Sequence, residues 1–256
     1  MWTDSHCHLD LIEQTTWDNA LRAGVSALVI PGVRGITDQA LRLSKGDPRI
    51  HAAAGWHPLF PPDHREQVGA MLSGLLDEHP LIRIVGEIGL DYWEQPVDRD
   101  AQRTLFADQL AVAAERNLPV IIHLRKAWDD FLAITAEFNE LHFIMHMFGG
   151  SKEQVDDLLN RLPHAWFSFG GPATRENAVR ARRTLGHLPP DRILLETDAP
   201  DLPPPGVAPP NTPANLPLIG EGVAAILDIK PAELAEQTSK NAGKAFKWTN
   251  GNGPGC

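Results

Sequence analysis

Cysteine is scarce in this chain of 256 residues, and long apolar runs are missing from it. The two cysteines, Cys7 and Cys256, are too few for a disulfide framework, which favours a reducing compartment, the cytoplasm. No run approaches the roughly 18 apolar residues of a membrane span. The first residues lack the basic and apolar segments of a secretory signal, and the pair Arg182-Arg183 is internal, so a twin-arginine signal is not expected either. We therefore predict a cytoplasmic protein without a membrane segment, and no feature indicates an obligate protein partner.

Basic residues are in deficit as well. The sequence has 23 Lys and Arg against 33 Asp and Glu, a formal net charge of -10. This balance argues against a protein that coats nucleic acid with a broad basic surface, because such binding depends on many contacts from Lys and Arg to phosphates. An enzyme that meets phosphates at bound metal ions remains compatible with it. With 43% hydrophobic and 22% charged residues, the composition is typical of a globular protein with one large core or two small ones.

Short runs rich in β-forming residues alternate with helix-like stretches along the sequence. The helix-like stretch 101–116 carries an apolar face that includes Leu105, Gln109 and Val112, and 153–162 is a second example. Alternation of this kind predicts parallel pairing. Eight runs in 256 residues leave an average of 32 residues for each βα unit, which suits a (β/α)8 barrel. The eight runs are 2–6, 27–31, 51–55, 82–87, 120–123, 143–146, 165–169 and 193–196.

Candidate metal ligands follow the first, fourth, fifth, sixth and eighth runs, and this placement separates two architectures. An open doubly wound sheet would spread these positions across its width, whereas a closed barrel gathers all its C-terminal strand ends on one rim. We therefore predict an α/β fold, a (β/α)8 TIM barrel in a single domain of residues 1–250, followed by a flexible Gly-rich tail at 251–256.

The pair His6-x-His8 stands at the end of the first run. Residues two apart in an extended strand point to the same face, so the two imidazoles can converge on one ion while Cys7 points away. Cys7 itself is expected to be a buried, small apolar side chain and not a third ligand. Glu87 ends the fourth run, where a carboxylate can bridge two cations, and Gly89 after it predicts a tight turn.

Four further ligand-type residues end later runs. His123 and His146 end the fifth and sixth and are natural ligands for a second ion, and the eighth carries Glu196 and Asp198 on one face. Four imidazoles and at least two carboxylates are enough for two divalent ions. The nitrogen-rich set suits zinc or manganese better than calcium, and magnesium prefers an oxygen shell. Two such ions lower the pKa of a bound water and clamp a phosphate or carbonyl oxygen, so hydrolysis is the expected reaction.

Two other residues near the predicted rim have competing roles. For His57, after the third run, three roles are open: contact with a substrate phosphate, proton transfer, or support of a turn. For Arg125 two roles are open: it could bind a substrate phosphate, or it could pair with a loop carboxylate. The remaining histidines lie outside the ligand pattern and are expected in surface or packing positions: His51, His64, His79, His142, His164 and His187.

An ordered set of motifs resembles the TatD family of metal-dependent deoxyribonucleases, a branch of the amidohydrolase superfamily. The set spans nearly the whole chain: DSHCHLD at 4–10, GWHP at 55–58, GEIGLD at 86–91, IHLR at 122–125, HMFGGS at 146–151, LETDAP at 195–200 and NAGKAF at 241–246. The resemblance implies a TIM barrel with one or two metal ions on its rim. It also implies hydrolysis of phosphodiester bonds in DNA, often as a 3′ to 5′ exonuclease.

The resemblance further implies roles for individual residues. Glu87 would bridge two ions, with His6, His8, Glu87 and Asp198 around one and Glu87, His123 and His146 around the other. His57 would approach the scissile phosphate, and Glu196 or Asp198 would position or deprotonate the attacking water. The expected mechanism is direct attack of a metal-bound hydroxide on phosphorus, without a covalent enzyme intermediate.

One segment departs from the family pattern. Many relatives carry an Arg-Gly-x-x-Asn-x-Pro stretch after the eighth strand, whereas this chain has LPPPGVAPPNTP at 202–213, which keeps Gly206, Asn211 and Pro213 but has no arginine. The proline-rich loop 201–217 either shapes a wall of the active site or merely connects the last strand to the last helices.

The most direct interpretation is a nuclease that acts on DNA or another phosphodiester. One alternative is a hydrolase that uses the same centre on a phosphomonoester, lactone, amide or aminoacyl-tRNA ester, because two bridged metals polarise any of these bonds. A more remote alternative is a metal-binding protein without catalysis. The acidic surface predicts weak binding of long duplexes, a modest dependence on salt, and a preference for frayed or single-stranded ends.

Overall fold

The structure, a computed structural model, describes residues 1–13, 15–93 and 95–248. Within these ranges the chain forms ten β-strands and nine α-helices. The strands are β1 (Trp2–Asp4), β2 (Val25–Ile30), β3 (Arg34–Gly35), β4 (Ile50–Ala52), β5 (Gly55–Trp56), β6 (Val85–Asp91), β7 (Val120–Arg125), β8 (Phe143–Met145), β9 (Ala165–Phe169) and β10 (Ile193–Leu195). The helices are α1 (Thr15–Ala23), α2 (Asp38–Gly46), α3 (Val68–Glu78), α4 (Arg99–Glu115), α5 (Trp128–Thr135), α6 (Lys152–Arg161), α7 (Val179–Leu185), α8 (Leu216–Leu227) and α9 (Pro231–Ala245).

Eight of the strands run parallel in one ring. Hydrogen-bonded ladders join β1, β2 and β4 in one arc and β6 to β10 in another. A parallel bridge between Ala54 and Val85 connects the two arcs at one junction. At the other junction the amide of Ser5 donates to the carbonyl of Leu195 at 2.9 Å. The fold is therefore a (β/α)8 TIM barrel, as the order of the sequence runs predicts.

The fourth strand of the barrel differs most from its prediction. It runs through Val85–Asp91 instead of 82–87, so Gly89 lies inside β6, opposite His123, and the predicted tight turn is wrong. Gly89 has a φ of 144°, and a methyl group there would overlap the carbonyl of His123. Glycine is needed for the close approach of two strands and not for a turn. The two-residue strands β3 and β5 pair antiparallel outside the barrel and are too short for a periodicity signal.

The helices α4 and α6 follow the predicted stretches 101–116 and 153–162 closely. Asp98 caps α4 by accepting from the amide of Ala101 at 3.0 Å, and Ser151 with Gln154 forms a capping box at α6. Gln109, assigned to the apolar face of the first stretch, is indeed fully buried, but its amide hydrogen-bonds to backbone. Burial of this polar side chain therefore depends on its hydrogen bonds.

The N-terminal end of the barrel is closed by the end of α9. Its last turn, with Ala242, Ala245 and Phe246, packs on interior residues of the strands in one buried cluster. Those interior residues include Val29, Ile84, Ile121, Ile144, Trp166 and Leu194. Because apolar side chains fill this end, the polar residues of the strand ends gather at the opposite, C-terminal rim.

Among the described helices, none combines the length and the apolarity required to cross a bilayer. The predicted tail 251–256, with Cys256, and the last two residues of the predicted domain lie outside the described residues.

Candidate metal centre

The C-terminal strand ends bring the six predicted metal ligands into one cluster, in which each side chain is buried or partly buried. The strand β1 ends before the first two of them, but backbone on both sides keeps the chain extended. The amide of Cys7 donates to the carbonyl of Val29 at 2.9 Å, and the amide of His8 donates to the carbonyl of Ala199 at 2.8 Å. As a result the Nε2 atoms of His6 and His8 lie 3.3 Å apart, and Cys7 is fully buried.

Two carboxylates approach this pair of imidazoles. The Oδ1 atom of Asp198 lies 3.5 Å from His6 Nε2 and 3.8 Å from His8 Nε2. The Oε2 atom of Glu87 lies 3.6 Å from His6 Nε2. Donor atoms about 2.1 Å from one ion lie about 3 to 3.5 Å from one another. The four side chains therefore fit a single ion after a small contraction.

The second oxygen of Glu87 faces a different pair of histidines. Its Oε1 atom lies 2.9 Å from His123 Nδ1 and 3.8 Å from His146 Nε2. Burial alone raises the pKa of Glu87, but the nearby His146 and His6 outweigh it and hold that pKa well below its usual range. The carboxylate is thus ionised and directed to both sides, which is the geometry of a bridging ligand.

A buried carboxylate stands behind each of these two histidines. Asp91 Oδ2 lies 2.8 Å from His123 Nε2, and Glu196 Oε2 lies 3.2 Å from His146 Nδ1. Glu196 also accepts from the amide of Met147 through Oε1 at 2.6 Å. Partners of this kind fix the orientation and the tautomer of a metal-binding histidine. A proton on Nε2, directed at Asp91, leaves the lone pair of His123 Nδ1 available for an ion that would also bind Glu87.

Asp91 is a site residue that the sequence reasoning missed. It lies four residues after Glu87 in β6, and alternation along a strand places the two on the same face. The incorrect prediction of a turn at Gly89 separated the two residues and so concealed this signal.

A third buried carboxylate, Asp4, ties the end of β1 to the end of β10. It accepts from the Thr197 amide at 3.0 Å, from the Thr197 hydroxyl at 2.6 Å and from the His6 amide at 3.2 Å. Burial raises the pKa of Asp4 to about 7. Because Thr197 precedes Asp198, this link fixes two predicted ligands relative to each other. Only its place two residues before His6 hints at this role in the sequence.

The charge balance of the cluster favours cations. Burial disfavours the charged form of His146, but Glu196, Asp198 and Glu87 outweigh it and raise the pKa of His146 to about 10. Burial also raises the pKa of Asp198 to about 7. Near neutral pH, His146 thus carries a proton and Asp198 is partly protonated, whereas Glu87 is ionised. Divalent ions bound among nitrogen and oxygen donors would replace these protons, so the residues present fit zinc or manganese, and magnesium less well because it prefers an oxygen shell.

His57 differs from the other imidazoles of the cluster because its lone pair points away. The amide of Leu59 donates to His57 Nδ1 at 3.1 Å, which leaves the ring proton on Nε2, 3.7 Å from Glu87 Oε1. Burial lowers the pKa of His57 to about 4, so the ring is neutral. The side chain of Gln109 holds Trp56, the residue before His57. The backbone N–H of Trp56 donates to Gln109 Oε1 at 2.7 Å, and Gln109 Nε2 donates to the carbonyl of Trp56 at 3.0 Å. His57 therefore offers an N–H donor to the centre and not a metal ligand.

Arg125 lies at the edge of the cluster, with 46% of its side chain exposed. Its guanidinium nitrogen lies 3.5 Å from Asp91 Oδ2, so its carboxylate partner belongs to a barrel strand and not to a loop. The guanidinium carbon also lies 4.9 Å from the ring centroid of Trp93. Arg125 remains free to meet a substrate outside the ligand cluster.

The proline-rich loop is anchored behind the last strand. Asn211 is fully buried; its side-chain amide donates to the carbonyl of Thr197 at 2.8 Å, and its backbone amide donates to Pro200 at 2.8 Å. Thr197 stands between Glu196 and Asp198. The loop therefore supports the strand end that carries these carboxylates, a contact that favours the first of its two proposed roles. Arg175, on the loop after β9, lines a cleft of about 550 Å³ with Pro203 to Val207.

The chain is similar to known metal-dependent hydrolases. The sequence model of the TatD related DNases matches residues 3–247. The "uncharacterized metal-dependent hydrolase YabD" of Bacillus subtilis (strain 168) is 33% identical, over 96% of this chain and 99% of its own. The "3'-5' ssDNA/RNA exonuclease TatD" of Erwinia tasmaniensis is 33% identical, over 89% of this chain and 90% of its own. The crystal structure of YjjV, a TatD homologue from Escherichia coli K12, has a TM-score of 0.88 at 27% identity and covers 97% of this chain and 98% of its own. The chain therefore belongs to the family of TatD related DNases and is a metal-dependent hydrolase by family.

Proposed function

We propose that the protein is a metal-dependent nuclease that hydrolyses phosphodiester bonds at the ends of single-stranded nucleic acid, in the 3′ to 5′ direction. The observation that carries this proposal is the orientation of the Glu87 carboxylate. Its Oε2 faces His6 and its Oε1 faces His123, as a ligand that bridges two ions requires. A relative at 33% identity is named a 3'-5' ssDNA/RNA exonuclease. The net charge of -10 favours single-stranded ends over duplex DNA, because a duplex presents a higher density of phosphates to the acidic surface.

The donor atoms divide into two sets. His6, His8, Glu87 and Asp198 would hold one ion, and Glu87, His123 and His146 would hold the other. Ions bound there lower the pKa of water and stabilise negative charge on phosphate oxygens.

We assign to Asp198 the role of accepting the proton of the attacking water. Its Oδ1 lies 3.5 Å from His6 Nε2 and 3.9 Å from His146 Nε2, inside the cluster, and its side chain keeps 13% of its surface exposed. Glu196 is fully buried, and its two oxygens face the Met147 amide and His146. We therefore assign proton transfer to Asp198 and the orientation of His146 to Glu196.

His57 and the water complete the reaction. The N–H of His57 is directed into the centre and would donate to an oxygen of the scissile phosphate as negative charge develops there. The water oxygen adds to phosphorus as its proton passes to Asp198, the bond between phosphorus and the leaving sugar oxygen breaks, and that oxygen takes the proton back from Asp198. Cys7 is fully buried between the two first ligands and is not accessible as a nucleophile. In the proposed reaction water attacks phosphorus directly, without a covalent enzyme intermediate.

An assay with matched linear and circular substrates tests this proposal. The purified protein, with zinc, manganese or magnesium added in turn, should shorten a 5′-labelled single strand stepwise from its 3′ end and leave a circular single strand intact. Glu87→Gln should abolish this activity. A blunt duplex of the same sequence should be degraded more slowly than the single strand.

The rival functions predict other outcomes in the same experiment. No cleavage of DNA or RNA with any of these metals, together with turnover of a phosphomonoester, lactone or aminoacyl ester, would refute the nuclease and establish another hydrolase. Metal binding without turnover of any of these substrates would indicate a protein that binds metal without catalysis.

A further inference from the structure

A cavity of about 790 Å³ opens beside the metal centre, between the ends of β6, β7 and β8. His146 and Met147 form part of its wall, so the cavity is continuous with the ligand cluster. Its lining also includes Trp93 and the segment Arg125 to Trp128. Arg125 pairs with Asp91, which also contacts His123. Asp91 therefore links the cavity to the ligand cluster.

Trp93 is the most unusual side chain of this lining. It is 55% exposed, although a ring of this size is apolar and is normally covered in a folded protein. Two cations flank it, with Arg125 at 4.9 Å and Lys126 at 5.4 Å from the ring centroid. Lys126 has a φ of 57°, a left-handed backbone conformation that residues other than glycine rarely adopt. Such backbone conformations are concentrated at ligand-binding sites.

The charge of the cavity is opposite to that of the whole molecule. Its walls carry four cationic side chains, and the protein has a net charge of -10. The cations are Arg99, Arg125, Lys126 and Arg180. The walls also carry Asp129 and Asp130, but Asp130 already accepts from the Tyr92 hydroxyl at 2.7 Å and lies 3.8 Å from Arg103. The cavity thus presents a local excess of positive charge around an exposed aromatic ring.

We propose that this cavity is a nucleotide subsite, in which a base stacks on Trp93 and the adjoining phosphate pairs with Arg125 and Lys126. An exposed aromatic ring with cations at its edge is the arrangement with which proteins bind single-stranded nucleic acid without sequence preference. A base inside a duplex is stacked on both of its neighbours and cannot present its face to the ring, so the subsite favours single strands. The inference rests on the proposed nuclease function and names the part of the strand-binding surface that serves it.

The test compares Trp93→Ala with Trp93→Phe, which retains an aromatic face, in the metal-loaded protein. One substrate is a dT pentanucleotide, and the other is bis(p-nitrophenyl) phosphate, a diester without a base. Loss of one stacked base typically weakens binding by roughly 5- to 150-fold. Trp93→Ala should therefore lower the ratio of kcat/KM for the oligonucleotide to that for the small diester by such a factor, mainly through KM. Trp93→Phe should restore most of the ratio.

Charge variants supply an independent measurement. Lys126→Ala and Arg180→Ala should each lower the same ratio and reduce the dependence of oligonucleotide binding on salt. Arg83, exposed and two residues before β6 at the closed end of the barrel, is the matched control, and Arg83→Ala should leave the ratio at the parent value. Equal effects of all variants on both substrates, or no effect of Trp93→Ala on the ratio, would overturn the subsite.

Binding separates this inference from the nuclease proposal. A fluorescein-labelled phosphorothioate dT pentanucleotide, which resists hydrolysis, reports affinity by fluorescence anisotropy. If the parent cleaves no nucleic acid but binds this probe in a manner that Trp93→Ala weakens and Trp93→Phe restores, the nuclease proposal fails and the subsite stands. If the parent cleaves DNA while Trp93→Ala binds the probe as tightly as the parent, the subsite fails and the nuclease proposal stands.

Discussion

Substitution of Asp91 by asparagine should weaken metal binding without touching a predicted ligand. Asp91 Oδ1 accepts from the Trp93 amide at 2.9 Å, and its Oδ2 faces His123 Nε2 at 2.8 Å. If the asparagine side chain keeps its oxygen on the Trp93 amide, its NH2 group replaces Oδ2 and donates to Nε2 of the ring. The ring proton must then move to Nδ1, the atom that faces Glu87 and the second ion. Removal of such a supporting partner costs about 10- to 100-fold in metal affinity, or roughly 1.4 to 2.7 kcal/mol.

Competition with a fluorescent chelator measures this effect. The parent and Asp91→Asn are titrated with zinc and with manganese, and the affinity of one site, the one that includes His123, should fall by the factor above while that of the other changes little. Asp77→Asn is the matched control, because Asp77 is exposed on α3 and pairs with Arg116 far from the rim. Unchanged affinities in Asp91→Asn, with parent activity at subsaturating metal, would refute the assignment of Asp91 as the residue that sets the His123 tautomer.

Two further substitutions test parts of the fold that support the site, and a third tests an ion pair at the end of α2. Asn211→Ala should destabilise the protein by about 2 kcal/mol in urea unfolding, because it removes buried hydrogen bonds, and it should also lower metal affinity. Gly89→Ala should cost roughly 3 kcal/mol, since its methyl overlaps the His123 carbonyl at a φ of 144°; a parent-like urea midpoint would contradict this packing. Asp47→Asn should cost about 1 kcal/mol at pH 7. Hydrogen bonds from Arg49 hold the pKa of Asp47 well below its usual range, so the stabilisation is present above that range and is lost as pH falls. The stability difference between parent and Asp47→Asn should therefore shrink when unfolding is measured at pH 3; a constant difference would argue against the ion pair.

Much of the rim follows from simple periodicity in the sequence. His6, His123 and His146 end short apolar runs, and a barrel brings the ends of all such runs together, so proximity of these side chains follows from the order of elements. The exact ends of the strands do not follow, because β6 extends past Glu87 through a glycine whose role depends on the carbonyl of a neighbouring strand. Contacts of this kind exist only in three dimensions.

The supporting residues were harder to predict than the ligands. Asp4 serves through hydrogen bonds to Thr197, which is distant in sequence and adjacent only after the barrel closes. Gln109 reads as part of an apolar helix face, yet its amide clamps the backbone beside His57. A polar side chain can be buried when the fold supplies partners for it, and a pattern of apolar positions does not contain those partners.

The central claim is that the rim cluster holds two ions bridged by Glu87. Crystals grown with manganese and measured near its absorption edge test it most directly, because anomalous scattering locates each ion. We predict two peaks on the rim that share Glu87, one bound by His6, His8 and Asp198 and the other by His123 Nδ1 and His146 Nε2. A peak bound by His57 Nε2, a single peak at saturating manganese, or no peak on the rim would contradict the account.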